Sequence, residues 1–312
     1  MAGSGWTAGR ARRLDEISGA GGVIVGVAVD HRDALRAELA KKGLPEPSDT
    51  ELSALKVLIA RTLAPGATIV LLDAEYGAAQ ALAAGALPGT VALATPLEAQ
   101  GYGEVAEAPL TTFLEGWSPA QAARLGASAC KLLLPYRVDA PAQADAQDEV
   151  VRAAVSACRA AGVALVLEPI VYGDAGGSER GELIVSGARR LAALGPDVLK
   201  VQHPGSAEAC RALDEACGPD VPWVLLGGGA DPDALAHQIE EACTAGASGF
   251  IVGRTLWDAA LVEDAAAAER ALETVSRPLL DRLATIARRS ARPWRERVGA
   301  VAAPEPGRVP AL

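Results

Sequence analysis

Eight short apolar runs recur along the chain, each followed by helix-like sequence, and this alternation limits the fold more than any other feature. The runs are GGVIVGVAVDH (21–31), ATIVLLDAEYG (67–77), VALATPL (91–97), ASACKLLLPY (127–136), ALVLEPIVYGD (164–174), VLKVQHP (198–204), PWVLLGGGAD (222–231) and SGFIVGRTLW (248–257). Most are apolar at consecutive rather than alternate positions, as in strands covered on both faces. Helical sequence is expected at 32–42, 50–63, 78–85, 118–125, 147–161, 181–195, 206–216, 233–247 and 266–289. Strict strand–helix alternation dictates a parallel sheet, and eight units dictate closure into a (β/α)8 TIM barrel of the α/β class. An open doubly wound sheet is the alternative. It is weakened because no GxGxxG opens a helix after the first run, where the turn reads DHRD. One barrel domain is expected over residues 21–300, with a helical lead-in at 1–20 and a proline-rich disordered tail at 301–312.

A net charge of −10 argues against nucleic-acid or membrane partners, while leaving room for a locally positive pocket that takes a small anion. No apolar run approaches the ~20 residues of a membrane span. The arginines near the N-terminus are not followed by an apolar h-region, and the five cysteines form no CxxC, so a reduced, cytoplasmic protein is expected. Three histidines without an HxH or HExxH spacing are a poor supply of zinc ligands, so no metal and no cofactor are expected.

Three strand runs carry a charge among their apolar residues: Lys131 in the fourth, Glu168 in the fifth and Lys200 in the sixth. The chain otherwise avoids lysine, with 24 Arg against five Lys. A buried ammonium is costly and its pKa falls unless it is paired, which makes a strand lysine a candidate amine nucleophile for a carbonyl substrate. Three consecutive strands place two cations around one carboxylate at the barrel mouth. There Lys131 lowers the pKa of the nucleophile and Glu168 moves protons. A network that only fixes packing is the bland alternative, but buried ion pairs stabilise less well than apolar packing. Lys41, Lys42 and Lys56 fall in helical sequence and are expected on the outer layer, with ordinary ammonium pKa values.

Catalysis in this fold belongs at the C-terminal strand ends. Those ends carry Asp30, His31 and Arg32 after the first strand, and Asp73 and Glu75 after the second. Gly227, Gly228 and Gly229 follow the seventh strand at the start of a helix, an expected anion site, and the Gly253–Arg254 pair follows the eighth.

The stretches AVDHRDALR (28–36), LLDAEYG (71–77), CKLLLPYRVD (130–139), LEPI (167–170), DVLKVQHP (197–204), PWVLLGGGAD (222–231) and GASGFIVGRTLW (246–257) together resemble one family. It is the class I aldolase family that contains tagatose-1,6-bisphosphate aldolase and sulfofructose-1-phosphate aldolase. The resemblance implies Lys200 as the Schiff-base lysine, Glu168 as acid/base, and Lys131, Asp30 and Arg254 as substrate contacts. It also implies a phosphorylated sugar substrate, cleaved to dihydroxyacetone phosphate and an aldehyde, and a homo-oligomer. The chain departs from the family pattern in three places. His31 stands where glutamine is usual, Gln202 where an acidic residue is usual, and glycines replace a serine-containing turn after the seventh strand. These departures leave the sugar and its distal group open. Two further readings stay open: another Schiff-base aldolase, similar to deoxyribose-phosphate aldolase, and a sugar-phosphate-sensing regulator on the same fold.

Overall fold

The structure, a computed structural model, describes residues 6–99, 110–298 and 301. The eight strands are β1 (Ile24–Val29), β2 (Ile69–Leu72), β3 (Ala92–Pro96), β4 (Ala129–Pro135), β5 (Ala164–Ile170), β6 (Val198–Val201), β7 (Trp223–Leu226) and β8 (Gly249–Val252). Each lies inside one predicted run. They close in sequence order into a parallel barrel, with β8 pairing back on β1. Helix α1 (Ala8–Ser18) precedes the barrel, and α2 (Asp33–Lys41) and α3 (Asp49–Leu63) follow β1. One helix follows each of the next six strands: α4 (Ala78–Ala83), α5 (Pro119–Leu125), α6 (Pro141–Ala161), α7 (Gly177–Ala192), α8 (Ala207–Cys217) and α9 (Pro232–Ala245). After β8 come α10 (Arg254–Trp257), α11 (Ala265–Ala271), α12 (Arg277–Ser290) and α13 (Trp294–Val298). No helix among the described residues is long and apolar enough to cross a membrane.

Two helices differ from expectation. The aspartates before residue 147 read as a loop, yet α6 already begins at Pro141, whose fixed φ and missing N–H suit a first helical turn. The single helix expected over 266–289 is interrupted by a π-helical turn at Leu272–Ser276. Pro278 follows in the first turn of α12, where it cannot donate to the preceding carbonyls, and the wider turn absorbs the lost ladder bond. The tail expected from 301 onward lies outside the described residues except for Val301, and the loop expected after β3 lies largely outside them.

Strand residues divide by parity. Val25, Val27, Leu132, Leu134, Leu165, Leu167 and Leu199 belong to the core between sheet and helices. Their neighbours Ile24, Ala28, Leu71, Ala94, Ala129, Ala164, Val166, Val198 and Ile251 form a second core along the barrel axis. Many of these inner residues are alanines, which leave width for longer side chains above them. The lead-in is the barrel floor: Leu14 and Ile17 of α1 are fully buried in the inner core, and Trp6 lies 5.5 Å from Trp294 of α13, ring centroid to ring centroid.

The barrel closes only because β8 lies hard against β1. Gly249 pairs with Ile24 at φ +130°, and a Cβ there would stand 1.9 Å from the Ile24 carbonyl oxygen. Gly249→Ala should therefore cost about 3 kcal/mol or more of unfolding free energy, from backbone strain plus overlap. Gly126→Ala, at φ +99° with no atom within 4 Å, carries only the strain and should cost about 1 kcal/mol. Urea unfolding of both variants checks the difference; equal losses would mean that the β1–β8 seam yields.

Candidate active site

The parity that fills the barrel axis with small residues also delivers its charges. Along β1 it runs from Ala28 to Asp30, along β4 from Ala129 to Lys131, along β5 from Val166 to Glu168 and along β6 from Val198 to Lys200. Parallel register pairs Lys131 with Val166 and Val166 with Val198, so Glu168 and Lys200, two residues further on, stand side by side one step above Lys131. Lys200 Nζ lies 2.8 Å from Glu168 Oε1. Lys131 Nζ lies 3.3 Å from Glu168 Oε2, 3.0 Å from Asp30 Oδ2 and 2.5 Å from Glu98 Oε1. No side chain in this group is more than 4% exposed.

The expected cluster of two cations around one carboxylate is thus corrected to two ammoniums among three carboxylates. Glu168 sits between the lysines, and Glu98 is the member that sequence reasoning passed over. Its signal was present: Ala92 and Ala94 point inward, and the same parity leads through Pro96 to Glu98. The glutamate is fixed at its other oxygen by the Leu133 N–H at 3.1 Å.

Burial alone would raise the carboxyl pKa of Glu168, but the ammoniums of Lys200 and Lys131 outweigh it and hold Glu168 below the usual range. Asp30 is held well below its usual value in the same way, with Lys131 the stronger cation. Burial pushes His31 down to about 4; Asp30 opposes this and the two lysines add to it. The His31 ring packs edge-on to Trp257, centroids 5.4 Å apart. Gly253 leaves room for this, since a Cβ there would stand 2.6 Å from Ala28 O and 3.1 Å from His31 Cε1.

Arg32 is buried beside the mouth, where it pairs with Glu75 and donates to the Glu98 carbonyl at 2.9 Å. It ties the β2 and β3 exits together. Lys56 departs from expectation. It is fully buried, paired with Asp73 and donating to Val29 O at 3.0 Å, and burial lowers its pKa against the pull of Asp73. The reason is helical spacing: Leu52, Lys56, Ile59 and Leu63 share the buried face of α3. Lys41, by contrast, is 70% exposed.

On the opposite side of the mouth Gly228 and Gly229 form a left-handed turn at φ +56° and +79°. The expected anion site at the start of the following helix is corrected, because Asp231 caps α9 by accepting from Asp233 N and Ala234 N. What remains is the glycine turn and Arg254. The guanidinium lies over the turn, 3.2 Å from where a Gly229 Cβ would stand, and donates to Gly228 O at 3.0 Å. Its side chain is 41% exposed and 3.6 Å from Glu38, so an incoming anion can still reach it. All five cysteines are buried, and none is joined in a disulfide. Among the described residues no group of three or more His, Cys, Asp or Glu side chains is arranged to hold a metal ion.

The depressed pKa of His31 makes stability depend on pH in a defined direction. Between pH 6.5 and about 4 the unfolded chain binds a proton at this residue and the folded chain does not, so stability falls with pH across that window. The loss should reach about 3 kcal/mol, and His31→Gln should remove most of it. Asp30 and Glu168 add to the loss once pH falls through their ordinary carboxylate values, because both are held lower in the folded chain. Denaturant midpoints measured from pH 7 to 4 test this; an unchanged slope in the variant would mean that His31 is protonated in the folded state.

A sequence model described as "DeoC/LacD family aldolase" matches residues 24–259. The tagatose 1,6-diphosphate aldolase of Streptococcus pneumoniae serotype 4 is 30% identical over 322 residues, covering 92% of this chain and 97% of that protein. Tagatose 1,6-diphosphate aldolase 2 of Streptococcus mutans is 28% identical, covering 91% and 96%. Among solved structures, a Schiff-base-forming fructose-1,6-bisphosphate aldolase superposes with a TM-score of 0.59 at 20% identity, over 89% of this chain and 99% of that one. The fructose-bisphosphate aldolase of Slackia heliotrinireducens gives 0.63 at 17% identity, over 89% of each chain. These last two share the fold, and the sequence matches place the chain in the DeoC/LacD family of aldolases.

Proposed function

We propose that the chain is a metal-independent class I aldolase that cleaves a phosphorylated ketose, of the tagatose-1,6-bisphosphate or sulfofructose-1-phosphate type, to dihydroxyacetone phosphate and an aldehyde. The observation that carries this reading is the buried contact of 2.8 Å between Lys200 and Glu168 at adjacent strand ends. Lys200 gives a proton to Glu168 and its amine attacks the substrate C2 carbonyl. Glu168 passes that proton to the carbinolamine hydroxyl, which leaves as water, so the carboxylate is restored and the iminium formed is the electron sink. Glu168 then takes the C4 hydroxyl proton, the C3–C4 bond breaks and the aldehyde departs. The enamine is protonated at C3 and the iminium hydrolysed, which frees dihydroxyacetone phosphate and restores Lys200. Lys131 and Asp30 face the same space and orient the substrate hydroxyls, with His31 and Arg32 framing that end. The turn at Gly228 and Gly229, with Gly253 and Arg254, holds the phosphate. The resemblance also carries the expectation of a homo-oligomer, and the cysteine pattern that of a cytoplasmic protein. A deoxyribose-phosphate substrate would release no dihydroxyacetone phosphate, so a substrate panel read by that product separates the two aldolase readings. Turnover itself separates both from a regulator.

Borohydride added with substrate should reduce the iminium and leave an adduct on Lys200 alone. Lys200→Arg should lose adduct and turnover together, while chelators leave the wild type active. Peptide mapping to Lys131, or zinc-dependent turnover, would overturn this mechanism. Arg254→Ala should raise KM about 10- to 100-fold with little change in kcat, the range for losing one charge-assisted contact at a partly exposed site. An unchanged KM would remove Arg254 from the phosphate site.

A further inference from the structure

We propose that Glu98 is a positioning residue: it holds the Lys131 ammonium and thereby leaves Glu168 able to accept the proton of Lys200. The inference rests on the aldolase reading above and adds to it a residue outside the reacting pair. Glu98 is 3% exposed and is fastened on every side. Its Oε1 is the nearest of the three carboxylate contacts to Lys131 Nζ, at 2.5 Å against 3.0 Å for Asp30 and 3.3 Å for Glu168. Its Oε2 accepts the Leu133 N–H, its carbonyl accepts from Arg32, and its backbone forms an antiparallel bridge with Phe113. A carboxylate so fixed has no freedom to follow a substrate. Its effect is electrostatic and passes through Lys131.

The proton balance shows why the effect matters. Before attack, one proton moves from Lys200 Nζ to Glu168; no atom is gained or lost by the pair. The transfer leaves a neutral amine and a neutral carboxyl, so it is favoured when Glu168 is not also claimed by a second cation. Lys131 is that second cation. With Glu98 and Asp30 neutralising it, the proton affinity of Glu168 is set mainly by Lys200. The charged and titratable groups facing Glu168 are Lys200 from β6, Lys131 from β4, and Asp30 and His31 from the exit of β1, with Glu98 acting behind Lys131 from the exit of β3.

Glu98→Gln keeps the shape and removes the charge. Lys131 then retains Asp30 and Glu168 as partners, so the variant should fold, which thermal unfolding checks. We expect kcat to fall by about 10-fold or more, a part of what acid–base catalysis supplies, with KM little changed. We also expect both limbs of the kcat/KM profile to move to lower pH by about one unit, because the cluster has become one charge more positive. The rate of borohydride-trapped imine formation at pH 7 should fall with kcat, while the final adduct stays on Lys200. Glu98→Asp, which restores the charge, should return the limbs towards their wild-type positions. A lower kcat with unmoved limbs would assign Glu98 a purely structural role and overturn the proposal, as would an unchanged kcat. Absence of any adduct in the wild type would instead sink the aldolase reading and leave this variant's result separable from it.

Discussion

The ammonium of Lys131, fully buried and touched by three carboxylates, is the contact on which the mouth of the barrel depends. An isolated charge at that depth would cost several kcal/mol, so its neighbours are obligatory. Asp30 arrives from β1, Glu98 from the exit of β3 and Glu168 from β5, and each is brought there by strand parity and parallel register. The ammonium therefore clamps three strand ends that share no sequence proximity. A fourth, β6, joins through Lys200 and Glu168. Remove the central charge and three carboxylates face one another across a space with one cation left to separate them.

Behind this centre a second tier of pairs supports the exits. Lys56 joins α3 to the end of β2 through Asp73, and Arg32 spans the β2 and β3 exits through Glu75 and the Glu98 carbonyl. Charge alternates outward from Lys200 through Glu168 and Lys131 to Glu98 and Asp30. The two sides of the mouth differ in kind: one is a dense ionic network, the other a glycine turn overlaid by one partly solvated guanidinium. The first suits proton movement at fixed positions. The second suits capture of an anion that must arrive from water and leave again.

The barrel was legible because its signal is redundant: eight apolar runs, each within a strand-length window, separated by helices that could not fit any other connection. Lys131, Glu168 and Lys200 were legible because a charge inside an apolar run is locally anomalous. Glu98 was missed because it lies just past its strand, at the start of a polar loop where a glutamate raises no contrast; only counting parity forward from Ala92 and Ala94 singles it out. Lys56 was misplaced for a similar reason. Lysine on a helix is ordinary, and its burial follows from its i+4 spacing to Leu52, not from its type. The start of α9 was read as open because a capping aspartate and a loop aspartate look alike until the side chain is seen to turn back on the helix.

The alanines that line the inner strands have a further consequence. Where a barrel of this kind ordinarily stacks branched aliphatic side chains, this one fills its upper layers with lysine stems. Their methylenes do the space-filling of a leucine while their tips carry the charge, so one side chain serves both the core and the ionic network. Exchanging such an ionic group for well-fitted apolar side chains commonly raises stability by about 1–4 kcal/mol. Holding lysines here, rather than methionine or leucine, thus costs the fold stability that apolar side chains of similar volume would supply.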